Sequence, residues 1–314
     1  MAVLLVILSV AAGLFMAMQS PTNATLSRYV GDQQSTVISF GGGTLLLLAG
    51  TLLFGHGDVF QFVHAPFWTL LGGAYGVYLV LMITRSVKLL GVALTLTLVS
   101  FGEVVSGMVI DSFGWFGTDA IPVRPLRVVG AAVIFLGILV VYLAQSASAA
   151  LEPDPSASGA KAPGRAAKLT AAVLTFIAGI GATIQTPTNA ALGTYTGSLE
   201  ATLWSFFGGT VIILAITLMT HKGRLNPVRG IGVKPWMLVG GMYGAMSVFF
   251  SVLLVPKIGS ALLMASIMLG QLLGGLLTDS FGWLRTPKIS LDRRRILGIL
   301  IIAAGVVLVT AAML

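Results

Sequence analysis

Ten apolar runs follow one another along the chain, separated by short polar interruptions. They cover 2–23, 36–54, 67–84, 91–110, 126–144, 169–189, 202–219, 236–255, 260–278 and 296–313. Each approaches the roughly 20 residues that a helix needs to cross about 30 Å of hydrocarbon. The pattern therefore predicts an all-α, polytopic integral membrane protein with ten transmembrane helices. The first run has no basic segment before it, and its counterpart in the sixth run is internal. It is expected to be a retained helix rather than a signal peptide. Between the fifth and sixth runs lies SASAALEPDPSASGAKAPGRAAK, residues 146–168. Its Pro, Ser, Ala and charge content predicts a flexible linker. The expected domains are a five-helix unit at 1–145, the linker at 146–168, and a second five-helix unit at 169–314.

The two units repeat one another. QSPTNATLSRYVGDQQSTVISFGGGT at 19–44 returns as QTPTNAALGTYTGSLEATLWSFFGGT at 185–210. WTLLGGAYG at 68–76 returns as WMLVGGMYG at 236–244, and DSFGW at 111–115 as DSFGW at 279–283. RVVG at 127–130 aligns with RILG at 295–298. Shared Gln, Asn, Asp and Trp at a near-constant offset require duplication, not generic membrane composition. Because five is odd, the second copy enters the bilayer from the opposite side. The expectation is a 5+5 inverted-topology repeat, an arrangement typical of secondary transporters.

Composition agrees with the pattern. The chain is 56% hydrophobic and 9% charged, with 39 glycines and a mean hydropathy of +0.99. The net charge of +8 is no nucleic-acid footprint, because the basic residues sit between apolar runs and form no stripe with aromatics. It reads as orientation instead. With the N-terminus outside, all of the 18 Lys and Arg except Arg124, Arg127 and Lys257 fall on inner loops. That places both termini on the outer face of a bacterial-type inner membrane. There is no cysteine, which removes disulfides and thiolate metal sites. His56, His64 and His221 have no ligand-like spacing to a carboxylate cluster, so no metal and no cofactor is expected.

The candidate chemistry lies in the polar residues at membrane depth. Gln19 and Asn23 are four residues apart and share a helix face, as do Gln185 and Asn189. Pro21 and Pro187 remove a backbone donor within each motif and free a carbonyl one turn back. Such breaks are tolerated where protein or a water-filled cavity satisfies them. Inverted symmetry should bring the two motifs toward a shared axis, where they would line a polar cavity. The competing reading is that these amides only bridge helices. Glu103 is the one acidic residue deep within an apolar run. A carboxylate there costs several kcal/mol unless it faces the interior, pairs or takes a proton, so it is a candidate proton carrier or the counter-ion of a cationic substrate. A structural glutamic acid bonded to Ser100 or Ser106 is the alternative. Its equivalent, Gln271, cannot ionise, which makes any charge chemistry asymmetric. Tyr75 and Tyr243, inside the glycine-rich stretches, offer a hydroxyl or an aromatic face to a cation. Gly72/Gly76 and Gly240/Gly244 form GxxxG pairs suited to close helix packing. Asp111 and Asp279 are expected to shape turns, and Trp115 and Trp283 to anchor at the interface.

The five-helix unit, the early Gln-x-x-x-Asn helix, the glycine-rich third helix and GQLLGGLLTDSFG at 270–282 resemble the YdcZ-like family of the drug/metabolite transporter superfamily. The resemblance spans both units. It implies single or fused five-helix proteins that pair antiparallel, and export or exchange of small metabolites or drugs, often driven by protons. The family pattern has Gln where the first copy has Glu103.

The expected function is secondary active transport of a small molecule by alternating access around a midplane cavity. Candidate substrate-binding residues are Gln19, Asn23, Tyr75, Gln185, Asn189, Tyr243 and Gln271, with Glu103 as proton-coupling group or counter-ion. The partners are the lipid bilayer, a small-molecule substrate and protons as coupling ion, with no nucleic acid and a monomer or homodimer as the unit. The alternatives are a non-transporting scaffold or accessory subunit, and a lipid-carrier flippase. An intramembrane enzyme is disfavoured because no HExxH, GxSxG or Walker motif is present. A continuous polar cavity joining Gln19, Asn23, Glu103, Gln185 and Asn189 would separate a transporter from a scaffold.

Overall fold

The structure is a computed structural model that describes residues 2–117, 124–151, 164–220, 232–285 and 293–312. The centre of the expected linker (152–163) and the loop positions His221, Lys222, Arg224, Arg229 and Lys288 lie outside them. Among the described residues there are nine α-helices and no strand: α1 (Ala2–Val30), α2 (Asp32–Phe54), α3 (Gly72–Leu90), α4 (Val92–Phe113), α5 (Pro125–Leu151), α6 (Arg165–Thr196), α7 (Ser198–Thr220), α8 (Gly240–Phe281) and α9 (Arg293–Ala311). Six segments are long and apolar enough to cross a membrane: Leu4–Val30, Asp32–Phe54, Phe67–Leu90, Arg165–Thr196, Ser198–Thr220 and Pro235–Val255. Four shorter apolar helices accompany them, at Leu94–Ile110, Pro125–Val141, Ser266–Thr278 and Ile296–Val309.

Several boundaries differ from the expected runs. α1 and α6 continue through Pro21 and Pro187 without ending, where the sequence suggested breaks. The hydroxyls of the same turns bond neighbouring carbonyls, Thr22 to Met18 and Thr188 to Ile184, each at 2.7 Å, and not the Ala17 and Thr183 carbonyls that the prolines leave without a helical donor. The run expected from residue 67 opens as a 3-10 turn, Phe67–Leu71, before α3 proper. At the expected linker, α5 extends to Leu151 and α6 starts at Arg165.

α8 covers two expected runs in 42 residues. A straight helix of that length would reach about 63 Å. Yet Gly244 packs on Gln19 and Gly274 packs on Ala17, so distant parts of α8 reach neighbouring turns of α1. Leu254 and Leu263 likewise meet in one apolar cluster with Ala12. The element therefore doubles back between them. In the first copy the corresponding return is made at Gly91, whose φ of 81° suits glycine.

The two copies are interlaced rather than stacked. α1 packs chiefly against α8, while α6 packs against α3 and α4. Small residues allow this. A side chain at Gly13 would strike the backbone of Ile267 and Gly270. At the equivalent seam between α4 and α6 a side chain at Gly102 would strike the backbone of Phe176 and Gly179. Equivalent helices also meet directly. α5 and α9 run antiparallel, with Gly130 against Gly305 and Gly137 against Gly298. Phe40 and Phe206 lie 5.1 Å apart, and the Thr44 and Thr210 hydroxyls share a 2.9 Å hydrogen bond. These self-pairs mark an axis relating the copies. At the ends of the bundle, Asp32 pairs with Arg85 at 3.3 Å and with Lys88 beside the Gly31 and Gly91 turns. The Gly57 and Gly197 turns form the opposite end.

Candidate functional site

The glycine pairs predicted to bring helices together instead accommodate side chains. Gly72 and Gly76 on α3 leave the space taken by the Asn189 and Gln185 amides of α6. Gly240 and Gly244 on α8 do the same for Asn23 and Gln19 of α1. A methyl at any of the four positions would overlap an amide. Each amide pair of one copy is thus cradled by the third helix of the other. All four amide residues are buried.

From there the halves diverge. A cavity of about 50 Å³ is lined by Glu103, Gln185, Thr186, Asn189, Ser247 and Ser251, with Met16 and Met264 among its apolar walls. Glu103 is 4% exposed, and its Oε2 has no hydrogen-bond partner. Asn189 is fully buried, and neither its Oδ1 nor its Nδ2 is paired. A buried polar atom without a partner costs about 1–3 kcal/mol, so three at one small cavity argue for something that enters and pairs with them. The side-chain bonds to Ser100 or Ser106 that the alternative reading of Glu103 called for are not formed. Ser100 donates instead to Gln271, and the Ser106 hydroxyl donates to the backbone carbonyls of Gly102 and Glu103.

Gln19 and Asn23 do not line this cavity. Asn23 Nδ2 donates to Ser39 Oγ at 3.0 Å, its backbone carbonyl accepts from Ser35 Oγ at 2.8 Å, and its side-chain Oδ1 has no partner. Gln271, the equivalent of Glu103, is fully buried. It accepts from Ser100 Oγ at 3.0 Å and directs Nε2 at Met16 Sδ at 2.9 Å. Tyr243 stacks on Phe15 at 6.3 Å between ring centroids, and Tyr75 lies beside Gly181. Neither tyrosine is among the cavity-lining residues. The structure therefore joins Glu103, Gln185 and Asn189, and leaves Gln19, Asn23, Gln271, Tyr75 and Tyr243 outside.

Met16, Thr186, Ser247, Ser251 and Met264 were not singled out from the sequence. A signal existed, since at the repeat offset Ser247 stands where the first copy has Leu79 and Ser251 where it has Ile83. Glu200 is a further buried carboxylate, 2% exposed in the first turn of α7. It accepts from the Gly57 backbone N–H at 2.9 Å and so ties the α2–α3 loop to α7. Gln34 is its equivalent in the first copy.

Two segments of the chain, 4–140 and 170–308, match the family model described as "Putative inner membrane exporter, YdcZ". The chain belongs to the YdcZ family. As a YdcZ protein of the drug/metabolite transporter superfamily, it is a polytopic membrane protein of an exporter family. No curated protein matches it by sequence. Among solved structures, one titled only "Crystal structure of protein" aligns with a TM-score of 0.65 over 98% of this chain and 97% of that one. At 13% identity that likeness concerns the fold alone.

Proposed function

We propose that this YdcZ protein is a secondary active transporter that moves a small molecule by alternating access. Its substrate pauses in the cavity between Glu103, Gln185, Asn189, Ser247 and Ser251. The observation that supports this most is that Glu103 and Asn189, both carrying unpaired buried polar atoms, line one cavity. A scaffold has no use for such groups, and a fold that only needed to pack would have filled the space. The cavity holds only a few water-sized volumes, which fits an occluded state or a small substrate. The reading makes the protein a transporter rather than an enzyme, with Glu103 as counter-ion or coupling group.

Orientation belongs to the same proposal. Arg28, Arg85, Lys88, Arg165 and Lys168 all lie at the Gly31/Gly91 end. By the positive-inside tendency that end faces the cytoplasm, and both termini lie outside. The site then sits in the outer half of the bilayer, because Asn189 and Ser251 are near the Thr196 and Val255 ends of their spans.

Reconstitution into proteoliposomes tests the function. Purified protein should support saturable flux of at least one small solute, and Glu103→Gln should remove that flux while the protein still purifies folded. Undiminished flux in the variant would take Glu103 out of the mechanism. A periplasm-active reporter fused to the C-terminus should be active; activity of a cytoplasm-only reporter there would reverse the orientation.

A further inference from the structure

We infer that the cavity selects a small cation bearing N–H donors, of the methylammonium or guanidinium class, and that Met16 sets its size limit. The inference rests on the transporter reading for its purpose, but the selectivity follows from the lining itself.

Glu103 is the only ionisable residue on the lining, and no Lys or Arg joins it. Among the described residues its carboxylate forms no ion pair. An anion would meet this carboxylate without a compensating charge in a low-dielectric setting, where like-charge contact is strongly unfavourable. A cation would supply the missing partner.

The hydroxyls sharpen the choice. Ser251 Oγ donates its proton to the Ser247 carbonyl at 2.9 Å, and Thr186 Oγ1 donates to the Ala182 carbonyl at 3.4 Å. With their single protons committed to the helix, both hydroxyls offer the cavity only lone pairs. Glu103 Oε2 adds an unpaired acceptor, and the Asn189 amide, unpaired at both polar atoms with Oδ1 against Gly72, adds one donor and one acceptor to the same wall. The site is therefore rich in acceptors. It matches a cation that brings several N–H groups better than a quaternary ammonium, which carries charge but no donors.

Size follows from the cavity of about 50 Å³. About 10–15 Å³ on this measure accommodates a water, so the space suits about three to five heavy atoms. Met16 is the adjustable wall. Its sulfur receives the Gln271 amide at 2.9 Å while its side chain lines the cavity. At the equivalent place in the second copy the chain has Ala182, which also lines the cavity. Met16→Ala would remove the wall and expose the Gln271 amide to the same space.

Calorimetric titration of the full-length protein in nanodiscs tests this with five probes: methylammonium, guanidinium, tetramethylammonium, tetraethylammonium and acetate. The expected result is saturable binding of methylammonium or guanidinium, weaker binding of tetramethylammonium, and none of acetate. Glu103→Gln should weaken the favoured cation at least tenfold, the loss expected for a charge-assisted partner. Met16→Ala should gain tetraethylammonium binding while retaining the small cation. Binding of acetate, equal binding of tetramethylammonium, or unchanged affinity in Glu103→Gln would overturn the inference. Because that variant alters the interior, its melting temperature is measured alongside, and Ser251→Ala supplies a milder second loss of an acceptor. Flux of the same probes separates the two readings. Binding without flux leaves the cation site standing and removes the transporter; flux without charge selectivity does the reverse.

Discussion

The same amide motif occurs in α1 and in α6, set in equivalent glycine cradles, yet it is the α6 copy that lines the cavity beside Glu103. Around Asn23, Ser39 accepts from the amide nitrogen, and only Oδ1 is left unpaired. Around Asn189, the equivalent Ser205 leaves its own hydroxyl unpaired and Asn189 unsatisfied. On the facing third helices, the first copy carries Leu79 and Ile83 where the second carries Ser247 and Ser251. Two bulky apolar side chains have become two hydroxyls, and the carboxylate Glu103 stands opposite them while the equivalent Gln271 is fully bonded. Duplication supplied two identical frames; divergence at a few facing positions made one structural and the other receptive.

The largest expected effect concerns a feature the copies share. Gly102→Val and Gly270→Val each force a side chain into a neighbouring helix backbone, and each should cost ~3 kcal/mol or more through overpacking. Both variants should lose the monodisperse peak in size-exclusion chromatography. Tolerance of one but not the other would break the equivalence of the frames. Next comes Ser251→Ile, which writes the first copy's residue into the second. It should fill the cavity and abolish flux with little change in melting temperature, whereas Ile83→Ser should leave flux intact. Moving the carboxylate, by combining Glu103→Gln with Gln271→Glu, should not restore function. Gln271 lies fully buried between Ser100 and Met16, and a charge there should cost several kcal/mol. Recovery of flux in the swapped protein would mean that both halves are receptive. The smallest effect is the contrast between two alanine variants. Asn23→Ala should lower stability by about 1 kcal/mol for the lost bond to Ser39. Asn189→Ala should be near neutral in stability and show its loss in binding instead.

Much of this was legible in the sequence because period and duplication are one-dimensional. The apolar runs gave the helices, and the repeated QxPTN and WxLxGGxYG segments gave the pairing of equivalent positions. Glu103 was legible because a lone carboxylate in an apolar run has few explanations. What could not be read was which partner each polar group finds. Ser100 was a plausible partner for Glu103, being nearly one turn away, but the interlacing of copies brings Gln271 to it instead. The GxxxG pairs announced a close approach without saying whether backbone or amide would arrive. Pro21 and Pro187 suggested breaks, yet α1 and α6 run on through them. Glu200 escaped notice because it stands just before an apolar run, where a carboxylate normally meets water. Only the fold of the other copy's loop brings Gly57 over it.

The interlacing has a consequence for the history and handling of the molecule. Since α1 finds its main contacts on α8 and α6 finds its own on α3 and α4, neither five-helix unit possesses a private interior. Each is the other's template. Severing the chain between α5 and α6, at 152–163, should therefore yield two fragments that assemble when co-expressed and fail when made alone. A substitution in either copy is felt chiefly by residues encoded in the opposite one, so the two halves are bound to evolve as correspondents rather than as neighbours.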